Sequence, residues 1–234
     1  MSMLPDNMKT VFGRDTMRLD IITENLANSQ THGYKATRFS GASFVETLNN
    51  RVVASEMHTD FSSGSYINTG RPLDIAIHGE GFFVVRSDDG EFLTRNGSFV
   101  VNSAGDLVTS AGFEVMGTNG PVRIPLNENS LNDLIVKDNG EMVIGGRSIA
   151  TLRCVVPEQQ TAIERAGTTL FRAAPGSRLA DADAVIQQRT LESSNISVFE
   201  EMAELMTLTK NVEASQRILR SEDSAVRKLM QALG

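Results

Sequence analysis

A chain of 234 residues with 40% hydrophobic content is long enough to bury one substantial core and still carry a separate assembly module. Its net charge of −7 and pI near 5.1 exclude a general binder of phosphate backbones, whose affinity draws on clustered Lys and Arg, so nucleic acid is not an expected partner. With Cys154 as its one cysteine the chain forms no intrachain disulfide, no apolar run approaches the roughly 20 residues of a membrane span, and the first residues lack the basic-then-apolar order of a cleaved signal.

Residues 1–34 read as an N-terminal assembly helix. Phe12, Leu19 and Leu26 recur every seven residues, with Met8 and Ile22 between them and Asp15 breaking the set. Gly13 inside the stretch costs about 1 kcal/mol relative to alanine, and Pro5 keeps the first residues out of the helix interior. Alone in water such a segment frays. The helix is expected to end near Asn28, and the polar run Asn28 to Gly33, whose glycine can take positive φ, reads as the helix stop. Residues 35–71, rich in Ser, Thr and Asn, follow as an extended arm that packs through Phe39, Phe44 and Phe61.

Residues 72–194 read as a β-rich central domain. Turn signals at Asp88-Asp89-Gly90, Asn96-Gly97, Ala111-Gly112, Asn119-Gly120 and Asn139-Gly140 punctuate it at the spacing of antiparallel sheets. Strands are predicted at 73–77, 82–86, 91–95, 99–101, 122–124 and 149–156, all rich in Val, Ile or Phe. The clearest hairpin runs from Leu134 to Ile144, with Asn139-Gly140 as the two positive-φ residues of a type I′ turn.

Residues 195–234 read as a C-terminal assembly helix. Leu205, Val212, Leu219, Val226 and Leu233 fall at strict seven-residue intervals, and Met202 and Met230 precede two of them by three. Thr209, Gln216 and Asp223 take the companion positions of this seam. Burying five such side chains yields on the order of 8–15 kcal/mol gross, against an ordering cost on the order of 1–2 kcal/mol for each of roughly 40 residues. The helix therefore needs neighbours. The charges around it, from Glu200 to Glu222, read either as a partner-selecting face or as a solvated one.

No catalytic, cofactor or metal site is predicted. Gly79-Glu80-Gly81 lacks the helix and the GK[ST] of a phosphate loop and reads as a β-turn. His32, His58 and His78 have no ligand-spaced partners, Asp181 and Asp183 read as a solvated loop, and Cys154 reads as a buried structural thiol. No Gly-x-Ser-x-Gly elbow occurs, so a β-rich hydrolase has no support in the pattern. A β-domain adhesin or binding protein with a coiled-coil stalk stays open beside a self-assembling structural protein.

Four motifs then carry a resemblance. The run Leu19-Asp20-Ile21-Ile22-Thr23-Glu24-Asn25-Leu26-Ala27-Asn28-Ser29-Gln30-Thr31-His32-Gly33-Tyr34-Lys35 resembles the N-terminal motif of bacterial flagellar basal-body rod and hook proteins. Gly70 to Phe83 (GRPLDIAIHGEGFF) is similar to the signature at the start of that family's β domain, Thr94-Arg95-Asn96-Gly97-Ser98-Phe99 follows, and Glu192-Ser193-Ser194-Asn195-Ile196 precedes the last helix. Glu24 stands where the family usually has a second asparagine before Asn25.

The resemblance implies a mainly β fold with terminal α-helices: an antiparallel central domain flanked by two helices that pair in a coiled-coil layer of a tubular axial structure. It implies an assembly interface of Phe12, Leu19, Ile22, Asn25, Leu26 and Asn28 with Met202, Leu205, Val212, Leu219, Val226 and Leu233. It implies a non-enzymatic rod subunit, of the proximal rather than the distal kind. Other rod and hook axial proteins, further copies of the chain and the flagellar export apparatus are the implied partners, and the periplasm-spanning rod is the implied location, reached without a cleaved signal and without membrane insertion.

Overall fold

The computed structural model describes residues 6–40, 56–125, 131, 133–158, 163–182 and 184–233. Residues 6–12, 40, 56, 215, 216 and 218–233 are described by backbone alone. The chain divides into two compact units: Met1–Ser29, Thr37–Asp60 and Ile196–Gly234 form the first, and Gln30–Ala36 with Phe61–Asn195 form the second.

Among the described residues, the first unit holds both helices, α1 (Asp6–Ala27) and α2 (Val198–Leu233), and a two-stranded antiparallel sheet of β1 (Thr37–Ser40) with β2 (Glu56–Thr59). Helix α1 stops at Ala27, where the Asn28 N–H reaches Glu24 and Asn25 carbonyls and the Ser29 hydroxyl reaches Leu26 O. The helix thus ends next to Asn28, as expected, and Gly33 lies beyond its end. The positive φ of Gly33 (68°) instead lets that backbone press on Arg95–Asn96, where a Cβ would lie 2.4 Å from Asn96 N. Helix α2 begins after Ser197, whose carbonyl accepts the Glu201 N–H, and Glu200 and Glu201 in its first turn oppose the positive end of the helix dipole.

The helices run antiparallel. Asn25 Nδ2 donates to Glu201 Oε2 at 3.4 Å, and a turn or two further along Arg18 pairs with Glu204 at 2.6 Å. Ile21, Ile22 and Asn25 are buried on α1, and Glu201 and Leu208 on α2, with Leu19, Leu26, Leu205 and Val212 half-buried beside them.

The second unit is all β among the described residues. Its strands are β3 (Tyr66–Asn68), β4 (Ile75–His78), β5 (Phe82–Ser87), β6 (Gly90–Thr94), β7 (Phe99–Val101), β8 (Leu107–Thr109), β9 (Glu114–Gly117) and β10 (Gly120–Pro121). Then come β11 (Leu134–Val136), β12 (Glu141–Ile144), β13 (Arg147–Thr151), β14 (Cys154–Pro157), β15 (Ile163–Arg165), β16 (Leu170–Ala173), β17 (Leu179–Asp181), β18 (Val185–Gln188) and β19 (Thr190–Glu192). The largest sheet has the order β15-β16-β6-β5-β9-β8-β7, with β10 on β9 and with β14 joining β5 to β17. Strands β11-β12-β13 form a second sheet, and the pairs β18-β4 and β19-β3 bring the end of the unit back to its beginning. All these pairings are antiparallel.

Strand β5 explains the layering. Successive strand residues face opposite sides, so Phe83 and Val85 enter a core with Ile75, Ile77, Phe99, Leu134 and Met142, while Phe82 and Val84 enter another with Leu93 and Phe171. Burial of each such side chain contributes about 1.5–3 kcal/mol, which is why a run of four consecutive apolar residues sits at the centre of the sheet. Phe61 from the predicted arm packs edge-on against Phe82 and Phe171 at 5.6 and 5.3 Å. Phe39 lies half-buried in β1 opposite Met57, and Phe44 lies outside the described residues.

Several local expectations change. The hairpin pairs Leu134 with Ile144 and Val136 with Met142, but only Gly140 has positive φ (81°). Lys137 N donates to Glu141 O, and Gly140 N to Lys137 O, both at 2.9 Å. That is a three-residue loop, a type I turn closed by a left-handed glycine, and not a two-residue I′ turn. Residues 122–124 form no strand and contribute one bridge, Asp106 to Arg123. The predicted strand 149–156 breaks at Leu152–Arg153, where those two N–H groups bond Gly140 O and Met116 O and carry the chain from one sheet to the other. Asp181 closes strand β17, exposed, where a loop was expected; Asp183 lies outside the described residues.

Candidate assembly interface

In the helical unit one buried polar knot organises the helix roots. Glu201, 2% exposed, accepts from Arg38 Nη1 at 2.5 Å and from Asn25 Nδ2. The Asn25 amide also exchanges bonds with the Thr37 backbone, donating to its carbonyl at 3.0 Å and accepting its N–H at 3.1 Å. A carboxylate buried without such donors would cost several kcal/mol, so Glu201, Arg38 and Asn25 belong to one arrangement.

This knot turns α2 slightly from the face that its heptads define. The inward residues are Glu201, Leu205, Leu208 and Val212; Met202 is 45% exposed and Thr209 is exposed. A 3.6-residue period accepts either choice around Leu205 and Val212. Burying Leu208 rather than the Thr209 hydroxyl, and satisfying Glu201, decides it. Met202 joins Phe199 (87% exposed) and Met206 (61%) on a second, outward apolar face. Single exposed hydrophobics are ordinary on protein surfaces, but three at helical spacing form a stripe.

Of the other interface candidates, Leu19, Ile22, Asn25 and Leu26 share the α1 face turned to α2, and Leu205 and Val212 share the α2 face turned to α1. Asn28 caps the end of α1, its Nδ2 donating to Glu24 O at 2.9 Å. The side chains of Phe12, Leu219, Val226 and Leu233 lie outside the described residues. Asp15, which interrupts the first seam, is partly buried, and that burial raises its carboxyl above the usual range against the opposing pull of Arg18.

In the β unit a second polar knot, unforeseen in the sequence, ties the motifs together. Lys35 and Glu192 are both fully buried, Nζ to Oε1 at 2.6 Å. Arg95 Nη1 reaches Glu192 Oε2 at 3.4 Å and its Nη2 donates to Gly79 O at 2.7 Å. Around them, Gly64 N donates to Glu192 Oε1, Ala36 N to Asn195 Oδ1, and Lys35 Nζ to Ser62 O. Arg165 lies over the Tyr34 ring at 4.9 Å and donates to Lys35 O. The resembling motifs held Lys35, Arg95 and Glu192 in plain view, but partners 97 and 157 residues apart leave no local pattern that assigns them to each other.

Among the described residues no group of three potential ligands converges on a metal. His78 stacks on Tyr66 at 3.8 Å and meets Gln187 at 2.5 Å, while Glu80 sits in a bend between β4 and β5. Burial against the main core pushes the Cys154 thiol up to about 12, which marks an inert group. No described helix is long and apolar enough to cross a membrane.

Residues 76–144 match the family described as the flagellar hook protein FlgE/F/G D1 domain, and residues 187–232 match the flagellar basal body rod FlgEFG protein C-terminal family. The chain belongs to the flagellar rod and hook protein family. Relatives within it agree over nearly the full length. The basal-body rod protein FlgF of Caulobacter vibrioides is 29% identical over 226 residues, covering 92% of this chain and 91% of its own. The rod protein FlgG of Bacillus subtilis is 26% identical over 247 residues, covering 91% and 92%. The hook protein FlgE of Rhizobium meliloti is 41% identical over 107 residues, 43% of this chain but only 26% of the hook protein. Both matched regions include parts of the second knot or its flanks: Arg95 falls in the first and Glu192 in the second.

Proposed function

We propose that this chain is a structural subunit of the bacterial flagellar basal-body rod, polymerising through its terminal helices into the axial shaft that transmits torque. No bond is made or broken in this role. The observation that carries it is a mismatch of helix lengths. Helix α1 has 22 residues and α2 has 36. Continuing the antiparallel register set by Asn25–Glu201 and Arg18–Glu204 places Asp6 opposite about residue 218. The last ~15 residues of α2, roughly 20 Å, then extend past anything α1 supplies. Leu219, Val226 and Leu233 occupy that overhang at heptad spacing, and the outward stripe Phe199, Met202 and Met206 is a further uncovered surface. Helices of neighbouring copies or related axial proteins satisfy both, completing the coiled-coil layer in which Phe12, Leu19, Ile22 and Leu26 meet Leu205, Val212, Leu219 and Val226.

The rod, rather than the longer hook, fits the coverage: this chain spans 91% of the FlgF relative and 26% of the hook protein. The matches to FlgG run over 247 and 256 residues, more than this chain possesses, so those relatives carry longer insertions than the 226-residue FlgF match requires. That supports the shorter, proximal kind of subunit. Delivery by the flagellar export apparatus, without a cleaved signal, and completion of helix packing on arrival complete the proposal; folding coupled to assembly keeps the free chain from polymerising early.

Deleting the residues before Thr31 tests it. The truncated chain is expected to keep its β-unit circular dichroism and lose polymerisation, whereas an adhesin-type stalk would oligomerise through 197–233 alone. Oligomers of unchanged size after the deletion would overturn the rod assignment.

A further inference from the structure

We propose that Glu192 is a positioning residue for assembly: its carboxylate closes a clasp, within the β unit, on the segments from which the chain leads to both terminal helices. This rests on the rod reading above. The geometry lies wholly within the β unit. One fully buried carboxylate accepts from Lys35, Gly64 and Arg95, three donors from segments far apart in the chain. Its backbone takes part too, the Glu192 carbonyl accepting the Gly33 N–H at 2.8 Å. Beside it Asn195 accepts from Ala36 N at 2.8 Å and donates to Ser62 O at 3.2 Å, and Ser193 N donates to Ser65 O at 2.8 Å.

These bonds fall where the chain leaves the unit. It crosses between the two units after residues 29, 36, 60 and 195, and clasp residues stand within a few positions of each crossing. Helix α1 ends at Ala27, three residues before Gln30, and α2 starts at Val198, three residues after Asn195. Two tethers that short, rooted on one side chain, give each helix a high effective concentration of the other before any neighbouring copy arrives. Gly64 shows how close the packing is: a Cβ there would lie 2.1 Å from Ser193 O.

The clasp is also separable from the core. Lys35 and Arg95 are cations that share the Glu192 carboxylate, so Glu192→Gln keeps the shape and removes the negative charge between two buried cations. The core residues Phe83, Phe99 and Leu134 belong to a different cluster and lose nothing directly.

Hydrogen exchange on the full chain, paired with polymerisation, tests this. In Glu192→Gln the amides of Gly33, Ala36 and Gly64 are expected to exchange about 10²-fold faster, the strand amides 82–94 to change by less than about tenfold, and polymerisation to be lost. Lys35→Met, which leaves Glu192 paired with Arg95, is expected to shift the same three amides more weakly and serves if the first variant does not fold. Leu134→Ala is the control: it accelerates 82–94 and the clasp together and leaves polymerisation in place. Clasp and strand amides rising in step in both clasp variants, or Glu192→Gln polymerising like the unaltered chain, overturns the proposal. A separated exchange response in a chain whose unaltered form never polymerises upholds the clasp and defeats the rod reading.

Discussion

Replacing Glu201 by alanine isolates the knot at the helix roots. The side chain is 2% exposed, and its main donor, Arg38, is 33% exposed at 2.5 Å. A hydrogen bond to a charged group contributes about 1.5–3 kcal/mol, and the partial exposure of Arg38 places this one toward the lower end. Loss of a carboxylate from the first turn of α2 costs about 0.3–1 kcal/mol more through the helix dipole. Asn25 keeps its two bonds to Thr37, so its share is small. The total is about 2–3 kcal/mol, on the order of a 30- to 150-fold shift in local opening. Hydrogen exchange at 20–27 and 198–208 reads it directly, and a double-mutant cycle with Arg38→Met apportions the pair. Unchanged exchange at both helix roots, or a cycle showing no coupling, would refute the account of why α2 turns Glu201 inward.

Two further outcomes follow from local geometry. At the 137–141 loop, Gly140→Ala is expected to cost about 1–2 kcal/mol because φ is 81°, whereas Asn139→Ala loses only its side-chain bond to Glu141 N, about 0.5–1 kcal/mol; equal costs in urea unfolding would restore the I′ turn. For Cys154, whose thiol is pushed up to about 12 from an ordinary 9.0, alkylation at pH 8 is expected to be negligible until the chain is denatured. Between those two values the unfolded chain has released a proton that the native chain keeps, so stability falls as pH rises through that window. Rapid native labelling at pH 8 would contradict the burial.

The two knots show where sequence reasoning stops. Lys35, Arg95 and Glu192 each sit in a segment that resembles a family motif, yet charged residues in polar runs read as solvated until burial is known. The α2 face shows the same boundary at smaller scale. Heptad spacing marks Leu205 and Val212 as inward, but the choice between Met202 and Glu201, or between Thr209 and Leu208, depends on what stands opposite. Gly33 takes the positive φ expected of it but beyond the end of α1, and Asn139 does not take it; what each residue touches decides whether and where that freedom is used.

What the chain itself determined is the alternation of apolar residues along β5, the turns that separate its strands, the heptad stripes of both termini and the family motifs in order. These are local quantities, written within a few residues of one another. What only the tertiary structure decided is the return of β18 and β19 onto β4 and β3, the switch of sheets at Leu152–Arg153, and the burial of Glu192 and Glu201 as hubs. Each joins residues far apart in the chain, and a carboxylate becomes a structural centre only when donors from distant segments arrive together to offset its desolvation.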